Sequence, residues 1–302
     1  MGFIERVDGC VQLKKRPLIA CLLLAAACSP ADSDLPPPAP AAKPCDSRPE
    51  KPDGLVVAGS GPVLPIARLI AREYEKRHPG ERVVIPGSIG SAGAVAALKD
   101  GAIDIGLLSR PLRDSERSPG IIEKPFARVP LSAVVRSDTP VSALGRRQLV
   151  DIFRGVADKW PEGTPITPLV RERGDSGNLL FATSFPELAA AIDESLRTRR
   201  WTVCYSDGEM RDALLEIRGA IGFLDATTIA IEKVPLKTVS IEGAAPEPAG
   251  GHPFERTYFL LARDLPQSPA ATAFVELALS AGVRAMLAEY GVAVPTAGNG
   301  ER

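Results

Sequence analysis

The sequence predicts an α/β fold of two lobes with a ligand cleft between them. Three observations carry this expectation. Short apolar runs alternate with helical segments in the order β-α-β-α-β across 55–108, the same alternation resumes past Val134, and glycine-rich turns follow two of the strands. In open α/β sheets the carboxyl ends of strands are where ligands bind. With 302 residues, 45% of them apolar and 24% charged, the chain is long enough for two cores of domain size.

The first 27 residues read as an address. Lys14, Lys15 and Arg16 precede an apolar run at 17–27, which at 11 residues is far short of the roughly 20 needed to cross a bilayer. Glu5 and Asp8 break the charge of the extreme N-terminus, so the signal fits a start near Val11 or Leu13. The run ends in Leu-Ala-Ala-Ala-Cys, similar to the lipobox of bacterial lipoproteins, which implies that Cys28 is lipidated and becomes the mature N-terminus. In that pattern Leu usually stands three residues before the cysteine, a place held here by Ala25; a secreted protein with Cys28 in a disulfide is the alternative. A tether at 28–53, rich in Pro, Ala, Asp and Ser and including Pro36-Pro37-Pro38, cannot bury a core and is expected to be extended. Cys45 in the tether and Cys204 in the body could pair in an oxidising envelope.

Past the tether, 55–58 reads as a strand. Gly59-Ser60-Gly61-Pro62 then turns into a helix, with Ile66, Leu69, Ile70 and Tyr74 at helical spacing and His78-Pro79-Gly80 as its stop. A strand at 82–85, a glycine-rich turn at 87–91, a helix at 92–99 and a strand at 103–108 follow. Beyond Val134 the expected elements are a helix at 149–153, strands at 166–170 and 220–224 with a helix at 178–185 between them, a strand at 257–262, and one amphipathic helix over 269–290. The last residues, 296–302, read as a disordered tail.

Composition excludes several functions. Lys and Arg number 36 against 37 Asp and Glu, so no basic excess drives nucleic-acid binding. Two histidines and five cysteines without a C-x-x-C pair cannot build a Cys/His metal cage or a histidine-based triad, so neither metal nor other cofactor is expected.

What remains points to anions. Ser60 and Ser91 stand in the glycine-rich turns as N-cap candidates, where unpaired amides and the positive helix end favour an oxyanion; simple capping is the alternative. Neither turn is a Walker loop or a dinucleotide fingerprint. Arg171, in the segment Arg171-Glu172-Arg173-Gly174-Asp175-Ser176-Gly177-Asn178, offers a planar fork suited to tetrahedral oxyanions, or else a solvated surface turn. Asp104 sits in an apolar strand and needs a partner.

At these residues the chain resembles the phosphate-binding (PstS-like) proteins of bacterial ABC transporters, members of the type II periplasmic-binding-protein superfamily. The resemblance covers about 54–295. It rests on Ala58-Gly59-Ser60-Gly61 through Leu64-Pro65, Gly90-Ser91-Ala92-Gly93, the run from Asp104-Ile105-Gly106 to Arg110-Pro111-Leu112, Ile152-Phe153-Arg154-Gly155 through Trp160, the Arg171 segment, Gly219-Ala220-Ile221-Gly222-Phe223, and Leu287-Ala288-Glu289-Tyr290-Gly291. It implies hinge strands joining lobe I (54–135 plus 236–295) to lobe II (136–235). It implies phosphate held between them by Ser60, Gly61, Ser91, Asp104, Arg171, Ser176 and Gly177. Asp104 would accept from a protonated phosphate oxygen and so reject sulfate. Pro62 and Val63 replace hydroxyl-bearing residues of the family, and Asp175 adds a carboxylate beside the anion. The implied function is a monomeric, non-catalytic, lipid-anchored periplasmic solute-binding protein that serves an ABC permease. A phosphate-scavenging or sensing lipoprotein is one alternative, and a phosphatase of the same fold is another.

Overall fold

A computed structural model describes residues 51–241, 254–264 and 268–295. The signal segment, nearly all of the tether with Cys28 and Cys45, and the tail at 296–302 lie outside the described residues. Strand β1 (Leu55–Gly59) is buried along its whole length, as five apolar or small residues in a row dictate for a strand covered on both faces. A 3₁₀ turn (Gly61–Val63) carrying Pro62 leads into α1 (Leu64–Arg77), which buries Leu64, Ile66, Ile70 and Tyr74 on one face. Strand β2 (Val83–Val84), helix α2 (Gly90–Lys99) and strand β3 (Ile105–Leu108) complete the expected β-α-β-α-β unit. β1 lies parallel to both β2 and β3.

The next element is one that the sequence reading did not anticipate, the 16-residue strand β4 (Ile121–Arg136). After it come β5 (Ala143–Leu144), α3 (Arg146–Arg154), β6 (Thr167–Arg171), α4 (Ser176–Ser184), α5 (Pro186–Thr198), β7 (Thr202–Cys204), α6 (Asp207–Glu216), β8 (Ala220–Asp225), α7 (Ala226–Glu232) and β9 (Leu236–Ile241). β10 (Glu255–Arg263), α8 (Pro269–Ala278) and α9 (Ala281–Ala288) follow. The single helix expected over 269–290 is therefore two, bent by 51°. Ser280 explains the break, because its hydroxyl accepts from the Val283 amide at 3.3 Å and starts a new helix.

The main strand path runs β2-β1-β3-β10-β4-β8-β6-β7, with β9 also on β4 and β5 on β9. β4 serves both halves of it. Residues 121–130 pair antiparallel with β10, whereas 131–135 pair with β8 and 133–136 with β9. Side-chain packing changes over at the same point. Phe126, Ala127 and Val129 pack with β1, α1, β10 and the C-terminal helices, whereas Leu131, Ala133 and Val135 pack with α3, α5, β8, β9 and Phe254. These two apolar clusters divide at Pro130 and again between Phe254 and Tyr258, with β4 and β9 both running on within the second.

Gly59 positions the first functional turn. A Cβ there would stand 2.1 Å from the Leu107 carbonyl oxygen, so only glycine lets β1 close on β3 at this rung and bring Ser60 beside the end of β3. Gly59→Ala is expected to lower unfolding free energy by about 1–3 kcal/mol through overpacking against backbone. An unchanged melting temperature would show that the two strands can separate there freely.

Candidate functional site

Both glycine-rich turns and the loop after β3 meet at the carboxyl ends of β1 and β3. The Ile89 amide donates to the Gly59 carbonyl at 3.0 Å, which ties the second turn to the first. Ser109, the residue after β3, is buried and central. Its hydroxyl lies 2.7 Å from the Ser60 hydroxyl and 2.9 Å from the Ser176 hydroxyl at the start of α4, while its amide donates to the Ser91 hydroxyl at 3.3 Å. Hydroxyls from the ends of three elements therefore converge within hydrogen-bond distance.

Arg171 ends β6 and faces this cluster across a cleft of about 410 Å³, lined among others by Ser60, Gly61, Ser91, Ser109, Arg171 and Ser176. Carboxylates of the chain's own surround its guanidinium. Nη1 lies 3.0 Å from Asp207, Nη2 lies 3.4 Å from Asp175, and Nε donates to Glu172 at 3.1 Å and to the Cys204 carbonyl at 3.0 Å. Burial works against the charge of Arg171, but Asp207, Asp175 and Glu172 outweigh it and hold the group more firmly protonated than usual. Arg110, on the opposite rim, is similarly engaged: it forks onto Glu116 with both nitrogens at 2.6 Å. Those hydrogen bonds outweigh burial and hold the Glu116 carboxyl down at about 2.

Behind Ser176 stands a buried charged cluster. Arg256 of β10 donates from Nη1 to the Ser176 hydroxyl at 2.9 Å, and from Nε and Nη2 to Asp225 at 3.1 and 2.5 Å. The Tyr258 hydroxyl donates to the other Asp225 oxygen. Burial pushes the Asp225 carboxyl up, to about 7, and Arg256 pulls the other way. Two guanidinium nitrogens on one oxygen give the geometry of an ionised pair. Because a guanidinium cannot accept, Ser176 must accept from Arg256, which leaves its own proton to be donated into the cleft or to Ser109.

Of the residues expected from the sequence, the cleft brings together Ser60, Gly61, Ser91, Arg171 and Ser176. Ser60 holds the N-cap position of the 3₁₀ turn, as expected, but makes no side-chain cap bond, whereas Ser91 lies inside α2, whose N-cap is Ile89. Asp104 does not line the cleft. It precedes β3, at the opposite end of that strand from Ser109, where it pairs with Lys51 and accepts from the Val56 amide at 2.8 Å. This supplies the partner that the half-buried carboxylate needs and holds it away from the cleft lining. Gly177 lies behind the cleft surface with its amide already donated to Asp175 at 2.8 Å, since Asp175 is the N-cap of α4. Val63, at a position where the family carries a hydroxyl, is fully buried in the first core. Sequence reasoning does not single out Ser109, Asp207 or Arg256. Ser109 lies in the run from Asp104 to Leu112 at a strand's carboxyl end, a signal that points to it; Asp207 starts a helix that the sequence pattern does not predict.

The chain matches the PBP superfamily domain over residues 46–281, well over half its length. It belongs to the PBP superfamily. Among solved structures, this PBP chain has the fold of a phosphate ABC transporter substrate-binding protein from Clostridium perfringens. The TM-score is 0.68, with 20% identity, covering 80% of this chain and 100% of the other. An ABC-type phosphate transport receptor from Vibrio cholerae gives a TM-score of 0.55 at 23% identity, covering 80% of this chain and 100% of that one. The two-lobed periplasmic-binding-protein fold follows from these likenesses. Among curated proteins, phosphate-binding protein PstS 2 of Streptococcus agalactiae is 34% identical over 108 residues, which is 36% of this chain and 36% of the relative. The match thus spans about a third of that relative's length. Protein SphX of Synechococcus elongatus is 31% identical over 228 residues, 69% of this chain and 66% of the relative.

The Arg256 cluster makes a stability prediction. Met at position 256 strands Asp225 without its cation, and unfolding free energy is expected to fall by about 3–5 kcal/mol in urea titrations. The sign with pH is fixed by burial, which raises the Asp225 carboxyl above its unfolded value. Without Arg256, which pulls it down, the carboxyl rises further, so the variant cannot take up the ionised form that the wild type gains as pH climbs, and the deficit should be larger at pH 8 than at pH 5. A deficit that is independent of pH would mean that Asp225 is not the group left exposed to the change.

Proposed function

We propose that this PBP superfamily protein binds a tetrahedral oxyanion, inorganic phosphate foremost, between its lobes and delivers it to an ABC permease without chemical change. The observation that carries the reading is the convergence of the Ser60, Ser109 and Ser176 hydroxyls at 2.7–2.9 Å on a cleft whose far wall is Arg171. Neutral donors fixed at strand ends, with one planar cation, suit an anion with oxygens on four sides. The relatives and solved structures named for phosphate binding or phosphate transport support it. In this reading the protein is a periplasmic monomer, tethered by the segment before Leu55 and lipidated at Cys28. Intact mass of protein purified from membranes should exceed that of residues 28–302 by the mass of the acyl and glyceryl groups. An unmodified Cys28 would remove the anchor.

The carboxylates around Arg171 set the selection rule. An oxyanion reaching the guanidinium displaces Asp207 or Asp175 and then lies beside the displaced carboxylate. That contact is favourable only if the ligand oxygen carries a proton to donate, as phosphate does at neutral pH and sulfate does not. The filter role expected of Asp104 thus passes to Asp207. Calorimetric titration of the processed protein, stripped of bound anion, should show phosphate binding with sulfate silent. Arg171→Ala should weaken phosphate by about 10–100-fold, the worth of one or two charge-assisted hydrogen bonds. Asp207→Asn should narrow the preference for phosphate over sulfate by about tenfold, on the order of 1.4 kcal/mol. Wild-type affinity in the Arg171 variant would sink the site, and an unchanged preference would take Asp207 out of the filter.

A further inference from the structure

We infer that the cleft accepts a phosphomonoester, with its organic group lodged in a second and larger cavity beyond the Ser109–Ser176 contact. The inference rests on the oxyanion reading and narrows its substrate class. The second cavity, about 1160 Å³, shares Ser109, Arg110, Arg113 and Ser176 with the cleft of about 410 Å³. The 2.9 Å contact between the two serine hydroxyls, one on the loop after β3 and one at the start of α4, stands as a sill at this shared edge. The inner end of the larger cavity is built from Ser109 and Arg256, each only 4% exposed, and its outer wall includes Leu179, Leu180 and Phe259.

Size and exposure both argue against a bare oxyanion as sole occupant. Cavities of roughly 300–1,000 Å³ are those that enclose organic ligands of drug size. A central atom with four oxygens needs a small part of the space on either side of the sill. Among the described residues, the exposed large apolar side chains are Ile89, Val156, Leu179, Tyr205 and Val294; three of these, Ile89, Tyr205 and Leu179, line the two cavities. Ile89 and Tyr205 lie on the smaller cleft and Leu179 on the larger cavity, where, with Leu180 and Phe259, it presents apolar surface that inorganic phosphate would not cover. A phosphoryl group wedged between Ser109 and Ser176 takes both hydroxyls in place of their mutual bond and joins the cavities. Its terminal oxygens then face Arg171 and Ser60, and its ester substituent extends over Leu179.

The test is titration of the processed full-length protein with inorganic phosphate, glycerol 3-phosphate and adenosine 5′-monophosphate in separate runs, for the wild type and for Leu179→Trp. Leu179 is about half exposed on α4, so the larger ring fills the groove without entering a core. At least one ester is expected to bind at least tenfold tighter than inorganic phosphate. The Leu179 variant is expected to lose at least tenfold for that ester while inorganic phosphate stays within twofold. Phosphate binding as tightly as every ester, or a variant that weakens both alike, would overturn the inference and leave the oxyanion reading standing. Silence towards all three ligands would overturn both.

Discussion

The buried Arg256–Asp225 pair, with Tyr258, is the interaction on which the rest of the cleft depends. Arg256 and Tyr258 belong to β10, Asp225 ends β8, and Ser176 opens α4, so one cluster of charge joins strands and a helix that the two apolar cores would otherwise hold separately. Burying two charges is costly unless each is matched, and here every group has a partner. The cluster fixes more than position. By occupying one lone pair of Ser176, Arg256 leaves that hydroxyl's proton for the cleft or for Ser109.

The cleft also carries its own counter-ions. Asp175 caps α4 through the Gly177 amide and pairs with Arg171, while Asp207 reaches the same guanidinium from the start of α6. In effect the chain supplies carboxylates where an oxyanion would otherwise sit. In the proposed reading, binding exchanges one anion for another rather than filling an empty positive site, and discrimination rests on hydrogen-bond polarity. The close approach of Asp207 to Gly61, where a Cβ would lie 2.8 Å from the carboxylate, shows how little space separates the walls at this point.

Much of the fold was legible because the early elements obey local rules. A buried strand, a proline in the first helical turn, helical spacing of Ile66, Ile70 and Tyr74, and glycine-rich turns all recur where the sequence placed them. β4 was not legible. Its first half carries Glu123, Lys124 and Pro125 and changes partners midway, so no single alternation runs through it. α8 and α9 share one apolar face, which hides the break that Ser280 makes. At the cleft, Arg171 could be placed from residue type and position and Ser176 from the resemblance, whereas Asp104 lies outside the lining. An acidic residue in an apolar strand demands a partner, but the sequence could not show that Lys51 and a backbone amide meet the demand at the far end of β3.

β4 passes from one half of the sheet to the other at Pro130, which stands in register with Glu255 and offers no N–H. On one side the ladder is made with β10, and on the other with β8 and β9. The proline costs the ladder no bond, since the Leu131 amide still donates to the Phe254 carbonyl at 2.8 Å while the Arg128 amide points the other way, to Ala293, and the continuous strand resists shear between the halves. Mechanically the junction is a shared plate rather than a loose linker: the two walls of the cleft are tied through one unbroken strand of a single sheet.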